Sequence, residues 1–163
     1  MSPTTVLVVI ALIGATTAIG LLWRKRQGTA KRATDDRRTH SPGAPSGGVS
    51  APALVAEDFG SDLRFGSRAT LLQFSTEFCS SCPATRTRLS AIADDRDGVA
   101  HIDVDLTHRG DLANRYRILQ TPTTFVLDGR GAVRARIGGA PRPGVIEAEL
   151  ENIATTERVR STR

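Results

Sequence analysis

Leu71–Asp94 reads LLQFSTEFCSSCPATRTRLSAIAD and contains both cysteines of the chain, Cys79 and Cys82. Thr70–Phe74 is an apolar run of strand length, and Ala84–Ala93 sets Ala84, Leu89, Ile92 and Ala93 largely on one helical face. The motif Phe78-Cys79-Ser80-Ser81-Cys82-Pro83 therefore leaves a predicted strand and opens a predicted helix. Two sulfurs three positions apart at such a place can close a small disulfide ring with little backbone movement. The helix's unpaired N–H groups and its dipole favour a thiolate on the first cysteine. The second, one turn into the helix, is expected to be more enclosed. An accessible attacker beside an enclosed partner is what a redox couple needs. Pro83 suits the first helical turn, where N–H groups lack intrahelical partners anyway.

Two other uses of the pair are weaker. An inert structural disulfide across four residues would constrain almost nothing, and the compartment expected below is reducing. A metal site would need two further ligands, but there is no second cysteine pair, and the only histidines are His40, His101 and His108. The setting of this CxxC favours redox chemistry.

Around this core, Val99–Val104 alternates as a strand, Asp111–Tyr116 suits a short helix, and Thr123–Leu127 is a strand. Asp128–Gly131 is a turn, Ala132–Ile137 an alternating strand that completes a hairpin, and Gly144–Ile153 a closing helix. The order β-α-β-α-β-β-α predicts an α/β fold with a central mixed sheet over residues 54–154, opened irregularly by Phe59, Leu63 and Phe65. About a hundred residues suffice for one modest core. Residues 155–163 are expected to be a flexible tail.

Toward the N-terminus the composition changes. The chain of 163 residues carries a formal charge of +5, yet the excess lies in residues 24–40, which hold seven positive and two negative side chains. Beyond residue 40 the signs balance, so a basic nucleic-acid-binding face is not supported. Val6–Trp23 (VLVVIALIGATTAIGLLW) has no charge and would form a helix of roughly 27 Å, near the thickness of a bilayer's hydrocarbon core. A cleaved signal peptide would put its positive residues first, but here Arg24-Lys25-Arg26 follow the apolar run. Residues 1–23 are therefore expected to be a transmembrane anchor, with the N-terminus outside and the rest on the cytoplasmic face. Trp23 fits an interfacial position. Residues 24–53, basic and then rich in Pro, Gly and Ser, read as a linker whose first part is drawn to anionic lipid.

The globular part resembles the thioredoxin family. The resemblance rests on LLQFSTEFCSSC, on YRILQTPTTFVLDGRG, and on Ile137-Gly138-Gly139 at the end of the last strand. It implies a thioredoxin-like fold, with Cys79 as nucleophile and Cys82 as resolving thiol. Thr121-Pro122 takes the place of the family's cis-proline, which implies that the Thr121 backbone pairs with an extended substrate segment beside Phe78. It further implies a protein disulfide as substrate, an upstream dithiol as electron donor, and no cofactor or metal. Three departures stand out. Phe78 replaces the usual tryptophan, Ser80-Ser81 replaces Gly-Pro, and Gln73 stands where the family buries an aspartate. Gln cannot act as a general base. Glu77 matches an exposed acidic position, Thr107–Asp111 lengthens the second crossover, and His101 reads as an ordinary strand residue.

The sequence thus predicts a membrane-tethered thiol–disulfide oxidoreductase whose partner is itself in the membrane. The alternatives are an extracytoplasmic reductase resembling those of cytochrome maturation, and a tethered module that uses the fold only for docking.

Overall fold

The computed structural model describes residues 3–26, 30–32, 54, 58–59 and 64–162. Its elements are α1 (Pro3–Arg26), β1 (Ala30–Arg32), β2 (Ala69–Ser75), α2 (Cys82–Asp94) and β3 (Val99–Asp105). After these come α3 (Gly110–Arg115), β4 (Thr123–Asp128), β5 (Val133–Gly138) and α4 (Val145–Ser161).

The sheet runs β1-β5-β4-β2-β3. β2 reads as a nearly continuous apolar run because both of its edges and both of its faces are covered, and all seven of its residues are buried. It pairs in parallel with β3, reached through the α2 crossover, and antiparallel with β4. β4 and β5 form the expected hairpin, with a register shift at Val126/Leu127. Alternation along the strands divides the core into two layers. Leu72, Phe74, Phe125 and Leu127 pack with Leu112 and Tyr116 on the α3 side. Leu71, Val126, Ala135 and Ile137 pack with Leu89, Ile92, Ile146 and Leu150 on the side of α2 and α4. The motif between β2 and α2 therefore lies at the C-terminal end of an interior strand of the sheet.

Three N- and C-terminal expectations meet the structure differently. Within the expected linker, Ala30–Arg32 is a strand, paired antiparallel to β5 with Ala30 opposite Ile137. The physical reason is the open edge of β5, whose unpaired backbone groups take a partner strand whatever its side chains. The expected tail is also corrected, since α4 continues to Ser161. That last stretch lacks an apolar stripe, but the hydroxyls of Thr156 and Thr162 donate to carbonyls of the preceding turn at 2.8 and 3.2 Å. Arg158 meets Glu151 at 3.3 Å and lies near the negative end of the helix dipole. At the other terminus, α1 contains the expected span as helix, and its Thr16 and Thr17 hydroxyls are satisfied by carbonyls within the helix, at 2.9 and 2.7 Å. Among the described residues, however, no helix is long and apolar enough to cross a membrane. The side chains of Val6 and Trp23, which bound the expected span, lie outside the described set. The transmembrane anchor is therefore not established by the structure.

Candidate active site

The two cysteines are joined, Cys79 to Cys82, with their Cα atoms 5.4 Å apart. Cys82 is the first residue of α2, not one turn into it, and is 2% exposed. Its enclosure comes from β2 beneath it, where Gln73 Nε2 donates to the Cys82 carbonyl at 3.2 Å. Cys79 precedes the helix and is partly exposed. Ser81 occupies the cap position without a side-chain cap bond, so its hydroxyl does not compete for the helix's first N–H groups. Instead it lies 3.9 Å from Cys79 Sγ. The positive end of the helix dipole favours negative charge on Cys79 once the disulfide opens.

Phe78 is 87% exposed beside Cys79. The Thr121-Pro122 bond is cis and Pro122 is buried. The loop after β2 meets the loop before β4 through Thr76 Oγ1 and Thr121 Oγ1, 3.2 Å apart. Gly139, at φ +80°, donates its N–H to the Pro122 carbonyl at 2.8 Å. Of the five residues singled out by the sequence, Phe78, Cys79, Thr121 and Pro122 thus belong to two loops bridged at one end of the sheet, and Cys82 begins the helix that leaves the first of them. Leu119, 92% exposed, adds an apolar side chain on the loop leading to Pro122. Neither Thr76 nor Leu119 carries a signal in the sequence, because both owe their place to the meeting of two loops over forty residues apart.

The long second crossover has a structural use. Thr107 Oγ1 donates to Asp105 Oδ1 and accepts the Glu77 N–H at 3.0 Å, bracing the turn that leads to Cys79. Glu77 itself is exposed, as expected. His101 is not an ordinary exposed strand residue but half-buried, with Nδ1 2.9 Å from Ser90 Oγ of α2. Burial pushes its pKa below the usual histidine value, although the Asp103 carboxylate opposes this. His40 lies outside the described residues. No group of three or more His, Cys, Asp or Glu that could hold a metal is found among the described residues.

Residues 50–152 match the family model described as Thioredoxin. No curated protein matches the chain. Among solved structures, the chain is similar to thioredoxin F from spinach chloroplast, at 22% identity and TM-score 0.47, over 55% of this chain and 79% of that one. A thioredoxin from Trypanosoma brucei brucei is similar at 23% identity and TM-score 0.48, over 55% and 78%. A thioredoxin pre-protein from Schistosoma mansoni follows at 17% and 0.47, over 54% and 81%.

Proposed function

The chain belongs to the thioredoxin family and is a thiol–disulfide oxidoreductase; from that premise we propose that it is tethered to a membrane and reduces disulfides of a membrane protein. The observation that carries the chemistry is the unequal burial of the pair, with Cys79 accessible and Cys82 enclosed at the start of α2. In the reduced enzyme, the Cys79 thiolate attacks one sulfur of the substrate disulfide. A Cys79–substrate disulfide forms, and the other substrate sulfur leaves as a thiolate and takes up a proton. Cys82, deprotonated, then attacks Cys79 Sγ, and the second substrate sulfur departs. The substrate has gained two electrons and two protons, and Cys79–Cys82 is the disulfide. An upstream dithiol resets it by the same exchange.

Phe78, Thr121 and Pro122 form the docking edge in this reading, with the Thr121 backbone receiving an extended substrate segment. The cytoplasmic placement and the lipid contact of the basic segment rest on the uncharged run Val6–Trp23 and on Arg24-Lys25-Arg26 after it.

The test uses the full chain in cells. Cys82→Ser should accumulate a reducible adduct of higher mass in the membrane fraction, and Cys79→Ser should not. An adduct confined to soluble proteins would overturn the membrane partner. Absence of any adduct, with the protein folded, would favour the docking module.

A further inference from the structure

Gln73 lies in the middle of β2, an interior strand, and is fully buried. It stands directly opposite Thr124 across the β2–β4 ladder. Leu71 and Val126, two residues away on the same strands, pack in the layer of α2 and α4, so Gln73 and Thr124 face that layer too. Their polar ends share an unusual property. Gln73 Oε1 and Thr124 Oγ1 are both buried without a hydrogen-bond partner. The amide cannot relieve this by turning over, because its Nε2–H already donates to the Cys82 carbonyl, and a turned amide would set two oxygens against each other. Oε1 is thus a fixed, unused acceptor in the layer beneath the first turn of α2, where Cys82 is the buried residue of the redox pair.

A buried acceptor left unsatisfied is costly, and native structures rarely tolerate one without a use. The disulfide form offers Oε1 no donor from Cys82. Reduction supplies one, since two glutathione thiols deliver two electrons and two protons, leave as oxidised glutathione, and convert the disulfide into two thiols. We propose that Gln73 Oε1 accepts the hydrogen bond of the Cys82 thiol in the reduced enzyme, making Gln73 a positioning residue that tilts the couple toward its dithiol form. The proposal rests on the oxidoreductase reading above. Gln73 is then more than a missing base. It is a neutral device that favours the dithiol for as long as the Cys82 thiol keeps its proton, and it adds no titration of its own.

The experiment equilibrates the full chain in buffers of reduced and oxidised glutathione and reads the dithiol fraction by thiol alkylation. Gln73→Met removes the acceptor and should shift the equilibrium roughly 2- to 12-fold toward the disulfide, the factor that corresponds to one net hydrogen bond. Gln73→Glu can make both bonds only while protonated. Its equilibrium should match the unmutated chain at low pH and acquire an added pH dependence as the carboxyl ionises. A merely structural glutamine would not give that signature. Thr124→Val should leave the equilibrium unchanged. The proposal is overturned if either Gln73 variant, folded, behaves as the unmutated chain does, or if Thr124→Val shifts the couple as far as Gln73→Met. Should Gln73→Met not fold, Gln73→Glu decides alone. Cysteines that never close into a disulfide in any buffer would instead remove the oxidoreductase reading itself.

Discussion

Cys79 and Cys82 are the same residue type, three positions apart, and only their surroundings distinguish them. After reduction, iodoacetamide should therefore modify Cys79 at least roughly tenfold faster than Cys82, as read by peptide mass spectrometry, because the attacking thiol must be both exposed and ionised. Equal rates would contradict the assigned roles. The spacing of the pair and the proline forty positions later are legible in the sequence because the chemistry needs those residue types. The orientation of the Gln73 amide is not legible, since it depends on a carbonyl nine residues away that the fold brings over β2. Tyr116 makes the same point. Its hydroxyl donates to Asp58 Oδ2, and Arg115 meets the other oxygen of that carboxylate at 2.9 Å. Burial first, and the Asp58 bond second, push the Tyr116 phenol up to about 12. It is the only tyrosine in the chain, so alkaline ultraviolet titration reports it directly. In Asp58→Asn the apparent pKa should fall but stay above 10, because the burial remains.

The β4–β5 hairpin shows how much an element can hang on one side chain. Asp128 is 3% exposed, and its Oδ1 accepts N–H bonds from Arg130 and Ala132 at 2.9 and 3.0 Å. Arg134 Nε donates to Oδ2 at 2.8 Å. Burial alone would raise this carboxyl's pKa, but the two backbone bonds and the guanidinium outweigh it and hold it below the usual aspartate value. A depressed carboxyl contributes stability that is present above the unfolded value near 3.9 and is lost as pH falls through the lower folded value. Asp128→Asn should cost about 1–3 kcal/mol at pH 7 in urea unfolding, and the gap should narrow toward pH 3. A gap of the same size at both pH values would show that the ionised form is not what matters. The sequence reveals the turn through Asp128-Gly129, because those residues suit it. It conceals the extension of α4, because a helix held by exposed pairs and hydroxyl bonds has no apolar period to read. Ending the chain after Ala154 should lower the helical circular-dichroism signal while leaving the redox activity within roughly twofold, since α4's core contacts through Ile146, Leu150 and Ile153 are kept. A tenfold loss of activity would tie the end of α4 to the site.

Across the molecule, the two core layers and the strand order follow from alternation along β2, β4 and β5, which is why the α/β class was legible before any coordinates. The pairing of β1 was not, because Ala30-Lys31-Arg32 has neither the β-branched nor the aromatic residues that mark strands. Topology is testable independently of it. A reporter active only outside the cytoplasm, fused after Arg163, should be silent, and a cytoplasmic reporter there should work. The reverse would place the enzyme outside, as in the cytochrome-maturation reading. If α1 is the anchor, β1 also sets how far the enzyme can roam. Thirty unpaired residues would trail the domain on a leash of roughly 30 Å. With β1 held against β5, only residues 27–29 separate α1 from the sheet, a stretch of at most about 14 Å. Halving the radius of the searched volume raises the concentration of enzyme within it roughly eightfold. It also narrows the clientele to disulfides presented close to the bilayer surface, out of reach of those carried on tall domains.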